Sequence, residues 1–142
     1  MRVKSMIIAA VAMAAMAAGS TAVMAPAADA ATNAVSPRSA CGGFNGNIEW
    51  HVTDPFGDGE IHVWGQLWDN NCPGSTEQLW VKYIQSDGGG YQFWPITSVG
   101  YPGTIGVNTG PVFQLWNYTS IGIYVCQVTS AGQRSCGPTV NV

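Results

Sequence analysis

Beyond residue 46, apolar and polar side chains trade places at every second position. Ile48, Trp50 and Val52 fall on one side of a first extended segment, with Asn47, Glu49 and His51 on the other. Ile61, Val63, Gly65 and Leu67 repeat the pattern against His62, Trp64, Gln66 and Trp68. Leu79, Val81 and Tyr83 repeat it again against Trp80, Lys82 and Ile84. A strand sends successive side chains to opposite faces, so a period of two predicts strands with one face buried. No window holds a helical period. Turn clusters break the pattern at residues 54–59 (DPFGDG), 69–75 (DNNCPGS), 87–90 (DGGG) and 101–103 (YPG). Short strands are expected over residues 91–96, with Pro95 confining that one to an edge or an end. Others are expected at Ile105 and Val107, over residues 112–116, at Ile121, Ile123 and Val125, and from about residue 134 to the end. The prediction is an all-β chain: a two-sheet antiparallel β-sandwich of about seven or eight short strands. A small closed β-barrel is the alternative.

The first thirty residues obey a different rule. Arg2 and Lys4 open the chain, residues 6–18 are an apolar run rich in Ala and Met, and Ala28-Asp29-Ala30 offers a small-x-small cleavage site. This is the order of a secretory signal peptide. A membrane anchor is the competing reading, but the strongly apolar run is short of the roughly 20 residues a span needs. The expected division is therefore a signal peptide over 1–30, a flexible N-terminal arm over 31–40 and a β-sandwich domain over 41–142. After cleavage the cations are Arg38, Lys82 and Arg134, against seven carboxylates, for a net charge of −4. Such a balance argues against nucleic acid as a partner, which would need a basic face.

The chain has four cysteines, and in an exported domain of this size they predict two disulfides and an extracellular location. Sequence alone allows three pairings. Cys126 and Cys136 flank Thr129-Ser130-Ala131-Gly132-Gln133. That segment suits a hairpin with a type I turn followed by Gly132 in the left-handed conformation. The two cysteines would then sit across from each other, leaving Cys41 to pair with Cys72.

Reactive constellations are weak. Ser75, His62 and Asp54 would form a triad on paper, but no nucleophile elbow surrounds any Ser. Glu49 and Glu60 could act as paired carboxylates if their strands are neighbours; solvated surface charge is the simpler reading. Asp54, Asp58 and Glu60 lack the ligand spacing of a calcium loop, and the cysteines lack paired C-x-x-C spacing for zinc. Gly88-Gly89-Gly90 has no following Lys-Ser/Thr and no helix, so it is not read as a phosphate loop. The expectation is a non-enzyme with no metal and no cofactor.

Aromatic content is the remaining signal. Trp64 and Trp68 share a face with His62 and Gln66, opposite the expected core set, and Trp80 joins them if its strand is a neighbour. Exposed Trp marks binding surfaces, and the competing reading is that both sheet faces are covered. Trp50, Trp94 and Trp116 are assigned to the core or its edges. In the arm, Pro37 and Arg38 lie in an extended stretch that could occupy a cleft of another protein; an Arg there would suit an acidic trypsin-like pocket. The candidate partner-binding residues are thus Pro37, Arg38, His62, Trp64, Trp68 and Trp80.

Three segments carry a resemblance: Ile61-x-Val63-x-Gly65-x-Leu67-x-Asp69-x-x-Cys72, Leu79-Trp80-Val81-x-Tyr83, and Ile123-x-Val125-Cys126 through Cys136-Gly137. Together they resemble a broad set of small exported actinobacterial β-sandwich proteins stapled by cysteines. In size, export and layout the chain is similar to the adaptor subunit of the Streptomyces umbrella toxin particles. That resemblance implies a secreted protein-binding adaptor joining a toxin subunit to a trypsin-like lectin subunit, with the arm inserted in a cleft of the latter. Two rivals are kept. One is a secreted protease or glycosidase inhibitor, although the Trp-Arg-Tyr triplet of the amylase inhibitors is absent. The other is a carbohydrate-binding module built on Trp64, Trp68 and Trp80.

Overall fold

The computed structural model describes residues 31–52, 59–85, 89–110, 113–115 and 118–142. Ten strands run through them: β1 (Ala31–Val35), β2 (Gly42–Val52), β3 (Gly59–Asp69), β4 (Thr76–Gln85), β5 (Gly90–Gly100), β6 (Gly103–Asn108), β7 (Phe113–Leu115), β8 (Tyr118–Val128), β9 (Arg134–Cys136) and β10 (Val140–Asn141). No helix occurs among the described residues. The strands form two antiparallel sheets and do not close into a barrel. The first sheet has the order β1-β2-β3-β6, with β7 continuing the β6 edge along β3. The second has the order β10-β8-β4-β5, with β9 also paired to β8.

The alternation assigns the faces as the sequence predicts. Phe44, Ile48, Ile61, Val63 and Leu67 from the first sheet meet Leu79, Val81, Ile121, Ile123 and Val125 from the second, and all ten are buried. Two glycines shape this core. Gly46 and Gly65 face each other across β2 and β3 on the inner side, and the Phe44 ring lies over the space they leave. A Cβ on Gly65 would come within 2.5 Å of the Gly46 Cα and 2.8 Å of the Phe44 ring, and its φ of +155° also favours glycine.

Both cysteine pairings hold: Cys41–Cys72 and Cys126–Cys136. The first joins the start of β2 to the loop after β3, where Asn70 and Asn71 also donate backbone hydrogen bonds to the Cys41 carbonyl. The second bridges directly opposed residues of β8 and β9. Gly132 has the expected left-handed conformation, φ +78°, with its N–H bonded to the Thr129 carbonyl at 2.8 Å.

The strand count exceeds seven or eight for two reasons. Short pairings along β3 and β8 are separate strands, and part of the expected arm is itself a strand. Residues 31–35 pair with β2 from Ala31↔Trp50 to Val35↔Gly46. Val35 and Pro37 are buried, and Phe44 donates its N–H to the Pro37 carbonyl at 3.0 Å. The reading of 31–40 as a free arm is therefore corrected. Val35 has the inward phase of its edge position, and burying it outweighs the conformational freedom of an unpaired segment. Residues 1–30, expected to be a signal peptide, and Asp54, Asp58, Asp87 and Trp116 lie outside the described residues.

Candidate functional site

On the outer face of the first sheet, β3 presents His62, Trp64, Gln66 and Trp68 in one row, because Ile61, Val63 and Leu67 take the inner phase. The structure brings Arg38 to this row. Its guanidinium carbon sits 4.4 Å from the centre of the Trp68 ring. The path is opened by Gly43, which lies opposite Trp68; a Cβ there would come within 2.7 Å of the Arg38 Cδ. Arg38 also donates from Nη2 to Asn45 Oδ1 at 3.5 Å. His62 and Trp64 have ring centres 4.5 Å apart, and His62 Nε2 hydrogen-bonds Asn108 Oδ1 at 2.9 Å. The result is an aromatic row with one cation on a ring and amides at its margins. Pro37 is not part of it, being packed inside.

Trp80 does not join the row. Its strand belongs to the other sheet, and its side chain lies on that sheet's outer face, on the far side of the core. There it stacks on Tyr124 with ring centres 6.5 Å apart, and the Arg134 guanidinium carbon lies 4.6 Å from its ring centre. Burial pushes the Tyr124 phenol above its ordinary pKa, and the positive charge of Arg134 acts in the opposite sense. Sequence could not place Trp80, since pairing order is not written in the period of any one strand.

Of the triad drawn on paper, Asp54 lies outside the described residues, and Ser75 and His62 are engaged in different places. Ser75 donates to Asp69 Oδ2 at 2.8 Å and lies close to the Cys72 carbonyl, while His62 is engaged by Asn108 on the outer face. Glu49 and Glu60 lie on paired strands, yet each is opposite a histidine: Glu49 faces His62, and Glu60 faces His51 with Nε2···Oε2 at 3.6 Å. No cluster of three or more His, Cys, Asp or Glu suited to a metal occurs among the described residues. Trp50 packs partly buried against the core, and Trp94 stands 40% exposed on the edge strand β5, both within the expected assignment to the core or its edges.

Two features were missed in the sequence. Asp69 and Glu77 are completely buried, at 0% exposure each. Glu77 lies over Gly42, the residue that pairs with Asp69; a Cβ on Gly42 would come within 2.7 Å of the Glu77 Cγ. Asp69 Oδ1 and both Glu77 oxygens lack a partner in hydrogen-bonding geometry. Burial drives the Glu77 carboxyl above its ordinary pKa of 4.5; the nearby Ser39 hydroxyl pulls it down, and the charge of Asp69 pushes it further up. The available signal was phase: Asp69 follows Leu67 by two, and Glu77 precedes Leu79 by two, so both extend an inward row. The second missed feature is Tyr91 and Phe93, each 56% exposed on β5.

No protein-family model, no curated protein and no solved structure matches the chain.

Proposed function

We propose that this protein is a secreted, non-catalytic protein-binding module, serving as an adaptor in an extracellular complex of the antibacterial toxin kind. The docking face is the outer side of the first sheet. One observation carries the reading: Trp64, Trp68, His62 and Arg38 are gathered on a single face, rimmed by Asn45 and Asn108. Trp and Arg at the centre of a face with polar margins is the composition of an interface hot spot. Arg38 reaches the partner from this face, seated on Trp68, rather than from a loose arm. Two disulfides suit a protein that works outside the cell.

The test is capture from culture supernatant with the intact protein as bait, followed by identification of what elutes with it. A stoichiometric protein partner is expected. The Trp64→Ala/Trp68→Ala double variant should keep its fold and lose most of that capture, since truncating a hot-spot residue costs about 2 kcal/mol or more. Undiminished capture by a folded double variant refutes the docking face. Inhibition of a protease or glycosidase by the pure protein would replace the adaptor with the inhibitor reading.

A further inference from the structure

The outer face of the second sheet has a chemistry of its own. Leu79, Val81, Ile121, Ile123 and Val125 point to the core, so Trp80, Lys82, Ile84, Ser120 and Tyr124 point to solvent. The register sets Tyr91 beside Ile84 and Phe93 beside Lys82, on the same outer side. The Tyr91 and Phe93 rings are 6.4 Å apart, and Lys82 Nζ lies 4.0 Å from the Tyr91 ring centre. Next to them is a cleft of about 170 Å³, lined among others by Lys82, Tyr91, Ser120 and Asn141. Gly122 faces Lys82 on one side and Asn141 on the other, and the Thr139 and Asn141 side chains reach over it: a Cβ there would meet the Thr139 methyl and come within 2.9 Å of Asn141 Oδ1.

Charge divides between the two faces. Lys82 and Arg134, two of the three cations in the mature region, both stand on aromatic rings of the second sheet. Among the described residues the carboxylates lie elsewhere: Glu49 and Glu60 on the first sheet, Asp69 and Glu77 inside. Among the described residues the second face thus carries cations and no side-chain carboxylate, on a chain that is acidic overall.

We infer that the outer face of the second sheet binds an anionic saccharide, a chain bearing uronic acids. A pyranose ring offers an apolar C–H face to an exposed aromatic plane and a rim of hydroxyls to nearby donors and acceptors. Phe93 and the side of the Tyr91 ring turned away from Lys82 supply the planes, which a monomer leaves in water at some cost. Ser120 and Asn141 supply the hydrogen-bonding groups, and the Lys82 ammonium is the point charge for a sugar carboxylate. An apolar protein anchor would leave the ammonium, hydroxyl and amide of this cleft without partners. A sugar meets them all. This inference is independent of the docking face on the first sheet.

The test is calorimetric titration of the intact protein with polygalacturonate at low ionic strength. Two comparison polymers separate the contributions: its methyl ester, which has the same rings without charge, and poly-glutamate, which has carboxylates without sugar rings. Binding to polygalacturonate is expected, with both comparison polymers weaker. Tyr91→Ala/Phe93→Ala should weaken it about tenfold or more, as should Lys82→Met, while Glu49→Gln on the other sheet leaves it unchanged. If the aromatic double variant fails to fold, Lys82→Met alone decides. The inference is overturned if the protein does not bind polygalacturonate, if either comparison polymer binds as well, or if folded variants of this face bind undiminished.

Discussion

Raising the pH should loosen this protein through Glu77. The carboxyl is fully buried, lies over the pair partner of Asp69, and has no cation paired to it among the described residues. Burial is the main reason its pKa stands above the ordinary 4.5. Below that ordinary value the group is protonated both folded and unfolded, and its contribution to stability is whole. Above it the unfolded chain loses the proton while the folded chain keeps it. The folded state then binds more protons, so stability falls as pH rises, by up to about 1.4 kcal/mol per pH unit, until the folded pKa is passed. A slope of that size is a sizeable fraction of the roughly 5–15 kcal/mol typical of a domain. Glu77→Gln keeps the shape and cannot ionise, so it removes this slope. Urea unfolding followed by Trp fluorescence, from about pH 4 to about pH 9, gives the stability of both forms at each pH. The variant's stability relative to the wild type should rise with pH and then level off. Asp69→Asn, which removes the neighbouring charge, should narrow the window of that rise. Parallel pH profiles for wild type and Glu77→Gln would refute the argument.

The remaining expectations concern the edge strand and the core. Removing residues 31–38 should lower stability by about 2 kcal/mol or more, because Val35 leaves the core and the pairing along β2 is lost. A thermal midpoint unmoved by this truncation would show that the segment is a free arm after all. Gly65→Ala should destabilise by about 2–4 kcal/mol, since its Cβ meets the Gly46 backbone and the Phe44 ring at a φ that disfavours side chains. Denaturant midpoints check this, and a loss under about 0.5 kcal/mol would mean that the Phe44 ring readily yields its place.

Several of these features could be read directly from the residues. The two-residue period of β2, β3 and β4 was visible because each is long enough to show its phase, and phase alone names the buried face. The Cys126–Cys136 bridge was visible because Gly132 and the loop length dictate a local hairpin. Asp69 and Glu77 were legible in principle from the same phase. They were hidden because polar residues at the end of a strand ordinarily mark where burial stops.

Local pattern determined that this chain makes sheets, which face of its long strands turns inward, and which two cysteines close a local hairpin. Only the tertiary structure decided which outward faces lie together. Trp80 has the same outward phase as Trp64 and Trp68, yet its strand falls in the opposite sheet, because sheet membership depends on crossovers between distant segments. The same holds for Tyr91 and Phe93. The register of β5 shifts between Leu79 and Trp80 of its partner, so the phase at one end of β5 does not carry through to the other. Residues 31–35 show no period of their own and become a strand only because β2 offers an unpaired edge. Side-chain alternation is a property of neighbours along the chain, whereas a binding face is a property of neighbours across it.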